Sequence, residues 1–386
     1  MTLLIGVAVV AVVLCREWRV DPEREFQAGW EALYRGDLTH GMPHVQRLRE
    51  QHKGAAVTRL LTALLQLRSG SADLALWQAS QITDRRHEDK RLLLMGECLY
   101  GLGRYQEAEA AFRDLHSLAP DSALAYQWLL AVYFDLGAYD AATRMATRLT
   151  ELRPQDFAPH RLLGMMARDF EQNQQAITHF RRALSLVPPV AVRLEIVEEL
   201  GAILIDEHEY QAAIELLVDE AVTTPWAHAT LANAFWAVGK QQQGWNELTA
   251  AEQSGPPDER VLMTRARFEF ESGHHNDAVA TLERVLKIDK SNINAYYVLA
   301  QVLTRLGREA EARTSHETHE QLIGVKNRLT NLNLEALQHP HDRVLREQLA
   351  DICEQLGKRD LAAMWRRAAE GLRFVESDSD NTHGRR

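Results

Sequence analysis

The sequence has little cysteine, with three residues in a chain of 386. Three cysteines cannot form the disulfide framework of a small secreted domain, and the absence of any Cys-x-x-Cys pair excludes zinc ribbons and haem-attachment motifs. The sequence also lacks a phosphate-binding loop, a glycine-rich dinucleotide motif and a serine nucleophile elbow. We therefore expect no cofactor, no metal and no enzymatic activity.

A basic excess is absent as well. The chain has 44 Lys and Arg against 54 Asp and Glu, which gives a net charge of −10. General nucleic-acid binders normally carry the opposite sign, so we expect no nucleic-acid partner. Hydrophobic residues make up 46% of the chain and charged residues 25%. This composition is typical of a folded chain.

Long hydrophobic runs are scarce, and one stands at the N-terminus. Residues 3–15 contain no charged and no polar side chain, and Trp18 follows between Arg16 and Arg19. As a helix this run would be about 20 Å long, against about 30 Å of bilayer hydrocarbon. Tryptophan beside arginine suits a membrane interface, which would extend the span.

We therefore predict that segment 1–19 is a single-pass N-terminal anchor that contacts the lipid bilayer through residues 3–15. The arginines that follow the run favour a cytoplasmic location for the rest of the chain. A cleaved signal peptide and a buried capping helix remain as alternatives. The side of the membrane stays open.

Small residues recur with a period near 34. Glycines repeat at steps of 33 or 34 residues, at Gly36, Gly70, Gly103 and Gly137 and again at Gly239, Gly273 and Gly307. Alanines run beside them at Ala75, Ala108, Ala142, Ala176, Ala213, Ala278, Ala312 and Ala362. This pattern predicts two helices per period, with the glycine at the turn and the small residues where the helices touch. Prolines should lie between units and not inside helices.

The spacing of small residue, aromatic or leucine, glycine, alanine, aromatic and proline resembles the tetratricopeptide repeat. Segments 90–122 and 123–156 are close matches, and units begin near residues 22, 56, 89, 123, 157, 194, 225, 259, 293 and 343. The resemblance is to bacterial membrane-anchored members and implies an all-α, right-handed superhelix of about ten helical hairpins with an N-terminal apolar helix. Pentatricopeptide repeats have a similar period, but their RNA-binding role fits poorly with the negative charge.

The predicted organisation has five parts. The anchor segment is 1–19, the array of about nine units is 20–325, an extended helix and linker cover 326–342, a C-terminal unit covers 343–375, and an acidic disordered tail covers 376–386. The step between the last two units is 50 residues, so we expect the second helix of the ninth unit to continue over 308–338.

Histidines and cysteines offer little chemistry. His316 and His319 lie three residues apart beside Glu320, but no further ligand completes a tetrahedral site. We interpret these histidines as solvated side chains. Cys98 and Cys353 fall on apolar helix faces and should be small core residues.

The resemblance implies a binding groove. In this family the first helices line the concave face, mainly through repeat positions 2, 5, 9, 12 and 13. On this sequence those positions include Tyr100, Phe134, Arg161, Arg168, Trp226, Asn233, Trp236, Arg267, Phe270, Tyr297 and Arg305. Aromatic residues and arginine are enriched in binding hot spots, and we expect Trp236, Arg267, Phe270 and Tyr297 at the centre. The alternative is that some of these aromatics pack between repeats.

The predicted function is a non-catalytic scaffold that is tethered to a membrane and binds a peptide segment or helix of another protein in the groove. A soluble or exported scaffold with a cleaved or buried N-terminal segment is the alternative. An enzyme with a site near His316 and His319 is a third, weaker hypothesis. Chaperone tails are not expected as ligands, because Ala229 stands where the family's clamp has lysine.

Overall fold

The computed structural model describes residues 21–221, 223–255, 258–339, 342–359 and 361–370. In these residues there are twenty helices in ten consecutive hairpins, and no strand. Contacts divide the chain into two compact units. One contains the described residues up to Val132 together with Glu370, and the other is Tyr133–Ala369.

The first unit contains three complete hairpins and most of α7. Its helices are α1 Pro22–Tyr34, α2 Leu38–Gln51, α3 Ala56–Arg68, α4 Ala72–Ser80, α5 Glu88–Gly101, α6 Tyr105–Leu118 and α7 Ala123–Asp135, with a 3₁₀ turn at Arg85–His87. Pro43 lies inside α2, contrary to the expectation that prolines stay between helices. It stands near the start of the helix, and α2 continues beyond it to Gln51.

The second unit continues from α7 with the same hairpin pattern. Its helices are α8 Tyr139–Leu152, α9 Phe157–Asp169, α10 Asn173–Ser185, α11 Val190–Asp206, α12 Tyr210–Asp219, α13 Pro225–Ala237, α14 Gln241–Gln253, α15 Glu259–Glu271, α16 His275–Ile288, α17 Ile293–Arg305, α18 Glu309–Gln338, α19 Arg343–Gln355 and α20 over 361–370. The 30 residues of α18 correspond to the long helix that the sequence predicts over 308–338.

The turn within each hairpin needs a left-handed backbone conformation. All seven periodic glycines have a positive φ, between 65° and 86°. Between Gly137 and Gly239 the same place in the repeat is taken by Glu171 and His208, with φ of 57° and 62°. The period therefore continues through the gap in the glycine series, at the cost of strain at two residues that have a Cβ.

The small periodic residues lie where the two helices of a hairpin touch. Ala142 and Ala176 are fully buried, as the sequence predicts. At Gly96 a Cβ would overlap the ring of Phe112 on the facing helix. Since a larger side chain would push these helices apart, the period of small residues determines how closely each pair packs.

The last hairpin, formed by α19 and α20, packs against the beginning of the second unit as well as following the ninth hairpin in sequence. The long helix α18 brings the chain back toward the beginning of the second unit, where buried Trp365 of α20 packs against Gly137. The ring of Tyr139 meets Trp365 edge-on, with 6.1 Å between ring centroids. The hydroxyl of Tyr139 donates to Sδ of Met364 at 3.6 Å. These contacts join the two ends of the second unit.

The predicted membrane localisation is wrong: within the described ranges no helix combines the length and the apolar character needed to cross a bilayer. Neither the single-pass anchor nor the lipid partner is supported. The run at 3–15 and the acidic segment 376–386 lie outside the described residues.

Candidate functional site

A groove of about 570 Å³ lies across four first helices of the second unit, α11, α13, α15 and α17. Each helix contributes residues spaced three or four positions apart, which places them on one helix face. The lining includes Asp206 from α11, Trp226, Thr230 and Asn233 from α13, Arg260, Met263, Arg267 and Phe270 from α15, and Asn294, Tyr297 and Gln301 from α17.

Side-chain caps stand at the start of three of these helices, α13, α15 and α17. Thr224, Asp258 and Asn292 each precede a helix, and each accepts a hydrogen bond from the backbone N–H three residues later. Such caps fix the first turn of a helix. The second residue after each cap, Trp226, Arg260 or Asn294, therefore enters the groove at an equivalent place.

A polar chain joins α13 to α15 in the groove wall. The guanidinium of Arg267 donates to Oδ1 of Asn233. Nδ2 of Asn233 donates to Oγ1 of Thr264 at 3.0 Å. Arg267 is thereby held in place with donors left over, because a guanidinium has five N–H groups.

A second contact orients the largest aromatic of the groove. The guanidinium carbon of Arg260 lies 3.9 Å from the ring centroid of Trp226, which is the geometry of a cation–π interaction. The guanidinium of Arg260 and the indole ring of Trp226 are thus stacked against each other in the wall of the groove.

Two carboxyls of the groove are affected by burial. Burial raises the pKa of Glu259, although a hydrogen bond from Nδ2 of Asn292 opposes the shift. Burial also raises the pKa of Asp206, and the neighbouring charge of Glu207 adds to the shift. With Glu271, the lining has three carboxyls and two guanidinium groups, so its charge is nearly balanced.

Five of the residues predicted from the sequence come together in this groove, namely Trp226, Asn233, Arg267, Phe270 and Tyr297. Tyr297 is 49% exposed, which leaves half of its surface for a ligand.

Trp236, predicted at the centre, lies outside the lining. Its indole stacks on Phe268 with 4.0 Å between ring centroids and also meets Trp245 edge-on. Its Nε1 donates to Glu271. This is the packing between helices that the sequence left as an alternative.

The other predicted residues are dispersed. Tyr100 belongs to the first unit, where its ring meets Tyr105 and Trp128 edge-on. Arg161 pairs with Glu195 at 2.6 Å, and Arg305 is exposed beyond the groove. These three side chains do not line the groove.

Phe134 and Arg168 line a different cavity of the second unit, of about 1100 Å³, which also has residues of α18 and α20 in its wall. The C-terminal hairpin thus faces Phe134 and Arg168, two residues that the sequence predicted on the concave binding surface.

Arg260 and Asn294 also line the groove, but the sequence analysis did not predict them as groove residues. Both occupy repeat position 2, the position that selected Trp226. Applying the same rule to every unit would have found them.

His316 and His319, the candidate metal ligands in the sequence, form contacts with neighbouring groups. The ring of His319 meets Tyr297, and its Nδ1 lies 3.1 Å from the carbonyl oxygen of Ile293. Across the described ranges, no three His, Cys, Asp or Glu side chains are grouped so that they could hold a metal ion. Burial raises the pKa of the Cys98 thiol to about 12 and that of Cys353 to about 11.

Repeated helical hairpins with small residues at the helix contacts and a groove across the first helices define a helical-repeat protein. The family model of the tetratricopeptide repeat matches residues 99–166 and 269–315. The chain therefore contains tetratricopeptide repeats in these two segments. The membrane-anchored type suggested by the sequence is not confirmed.

Solved structures with a similar chain include MamA from Desulfovibrio magneticus RS-1, which is 25% identical over 43% of this chain and 93% of its own, with a TM-score of 0.38. The human IFIT1 dimer with m7Gppp-AAAA is 12% identical over 92% of this chain and 91% of its own, with a TM-score of 0.40. The C-terminal part of a repeat protein from Cytophaga hutchinsonii is 16% identical over 60% and 95%, with a TM-score of 0.41. No curated protein matches the chain.

Proposed function

We propose that this protein is a non-catalytic interaction scaffold that binds a segment of a partner protein in the groove across α11, α13, α15 and α17. The observation that carries the proposal is the convergence of Trp226, Arg267 and Tyr297 from three successive hairpins on one surface. Tetratricopeptide repeats in general support a role in protein interaction.

The chemistry of the groove suits an extended segment. The side-chain amides of Asn233, Asn294 and Gln301 can both donate and accept hydrogen bonds. They match the N–H and C=O groups that an extended peptide backbone presents. The nearly balanced charge of the lining favours neither a strongly acidic nor a strongly basic segment at this point.

The aromatic side chains supply the apolar contact. Tyr297 and Trp226 offer large surfaces with few rotatable bonds, so a ligand that covers them loses little side-chain entropy. Arg267 is already fixed by Asn233 and can hold a carboxylate or a backbone carbonyl of the ligand.

The experiment begins with proteins that the full chain retains from an extract of its native cells. The retained partner is then titrated against Tyr297→Ala and Arg267→Ala. We expect each change to weaken binding at least about thirtyfold, which corresponds to about 2 kcal/mol.

Matched controls separate the groove from the rest of the surface. Trp77→Ala removes an aromatic side chain that is 61% exposed in the first unit, and Arg305→Ala removes an exposed arginine outside the groove. Both should bind like the wild type. If the groove variants keep their helicity and bind within about threefold of the wild type, the contact surface lies elsewhere and the proposal fails.

A further inference from the structure

The second cavity of the second unit is rich in cationic side chains. Six line it, Arg168, Arg260, Lys326, Lys358, Arg359 and Arg367, against the three carboxylates Asp135, Asp169 and Glu171. This excess of positive charge occurs in a chain whose net charge is −10. The sequence alone does not reveal it, because the cations come from four separate parts of the chain.

Two of the three carboxylates of the cavity form ion pairs with its cationic side chains. Arg168 pairs with Asp169 at 2.8 Å and also with Glu199. Lys326 pairs with Glu171 at 2.9 Å. Asp169 and Glu171 therefore compensate the charges of Arg168 and Lys326 at one side of the cavity.

Among the described residues, the cationic side chains that the C-terminal hairpin contributes to the cavity are not neutralised by ion pairs with carboxylates. Lys358, Arg359 and Arg367 are exposed, and none forms an ion pair with a residue in the described part of the chain. Like charges held close together repel one another, and a ligand with carboxylates would relieve that repulsion. Arginine forks are suited to bind carboxylates with two parallel hydrogen bonds.

The cavity adjoins the proposed binding groove, because Arg260 lines both. A segment that lies across α13, α15 and α17 reaches Arg260 and passes from there into the cationic cavity. The two surfaces can thus receive one continuous ligand, with a polar part in the groove and a charged part beyond it.

We propose that the partner segment carries a run of Asp or Glu residues and that this run occupies the cavity beside Lys358, Arg359 and Arg367. The proposal rests on the proposed function of the groove and adds the chemistry of the partner. The C-terminal hairpin then takes part in recognition, since it supplies half of the six cations.

The experiment measures binding of labelled ten-residue oligomers to the full chain by fluorescence anisotropy. The probes are decaglutamate, decaglutamine and a decauridine RNA. We expect decaglutamate to bind at low salt, to weaken when the ionic strength rises to about 0.15 M, and to bind much more tightly than decaglutamine.

Charge reversal locates the site. Lys358→Glu combined with Arg359→Glu should weaken decaglutamate binding at least about tenfold. Arg367→Glu alone should also weaken binding, but by a smaller factor. The matched control is Arg284→Glu combined with Lys287→Glu, two exposed cations of α16 that change the net charge equally. It should bind within about twofold of the wild type.

Each contrary outcome overturns the proposal. Absence of decaglutamate binding, equal weakening by the control, or RNA binding that is as tight and as sensitive to the cavity variants would each do so. The groove is tested separately, because Tyr297→Ala should reduce binding of the native partner and leave decaglutamate binding unchanged. Loss of one result without the other shows which of the two proposals has failed.

Discussion

Arg346 is fully buried, and its Nε donates a hydrogen bond of 3.1 Å to the carbonyl oxygen of Leu136, which precedes it by 210 residues. Its guanidinium also lies over the ring of Trp365, 5.4 Å from the centroid. Burial lowers the pKa of Arg346 to about 10. A side chain of α19 thus donates a hydrogen bond to the backbone of the turn between α7 and α8.

Replacement of Arg346 by alanine should destabilise the second unit. The Leu136 carbonyl would lose its partner, which costs about 1–3 kcal/mol, and the space left by the side chain adds to the loss. The measurement is urea unfolding followed by circular dichroism. Arg366→Ala is the control: this arginine is exposed and pairs with Glu354, so we expect a loss of at most about 1 kcal/mol. Equal effects of the two changes would contradict the role of Arg346.

Two turn glycines provide a matched pair. Gly137→Ala and Gly273→Ala both place a Cβ at positive φ, which costs about 1–2 kcal/mol. At Gly273 the added Cβ meets nothing, whereas at Gly137 it overlaps the ring of Trp365. Gly137→Ala should therefore be the more destabilising by about 1–3 kcal/mol. Thermal melts of the two variants compare them directly, and identical melting temperatures would show that Trp365 does not pack on Gly137.

Ala142 tests the contact between hairpin helices. Leucine at this fully buried position should overpack the core and cost about 1–3 kcal/mol. Ala280→Leu makes the same change at an exposed position of α16 and should have little effect. The check is the shift of the thermal midpoint by circular dichroism. An unchanged melt for Ala142→Leu would refute the close packing.

Two histidines should make stability depend on pH. Nδ1 of His160 lies 3.4 Å from Nδ1 of His179. Burial lowers the pKa of both rings, and the charge of His179 lowers that of His160 further. The unfolded chain therefore takes up protons first as the pH falls below the ordinary histidine pKa of about 6.5, and the folded state loses stability in that range.

Melts at about pH 7 and about pH 5.5 measure this loss. The combination of His160→Gln and His179→Gln should reduce the difference between the two melts. His316→Gln, at an exposed position, should leave it unchanged. A loss of stability that is the same in the double variant and the wild type would assign the pH dependence to other groups.

Local features of the fold follow from the sequence. The period of Gly36 to Gly307 and the alanines beside it determine where hairpins turn and where helices touch, because both depend on residues close in the chain. Glu171 and His208 show the limit of this rule, since the repeat dictates the turn even where glycine is missing. Residues far apart in sequence carry no such signal, and the contact of Trp365 with Gly137 could not be predicted.

In the candidate site, too, the features that depend on local repeat position could be predicted, and those that depend on distant contacts could not. Repeat position alone placed Trp226, Arg267 and Tyr297 on the groove. It failed for Trp236, because the ring of Phe268 offers that indole a stacking partner away from the groove. The cavity with Lys358 and Arg367 depends on the return of the C-terminal hairpin, which no local pattern encodes.

The hydrogen bond between Arg346 and Leu136 alters how the second unit can unfold. In an open repeat array each unit touches only its neighbours, so the terminal unit can fray without disturbing the others. Here the first and last hairpins of the unit hold each other, and neither is a free end. Loss of one hairpin therefore breaks a contact of high sequence separation as well as its local one. The unit should melt as one cooperative block that folds slowly, because the closing contact must wait for a long loop to form.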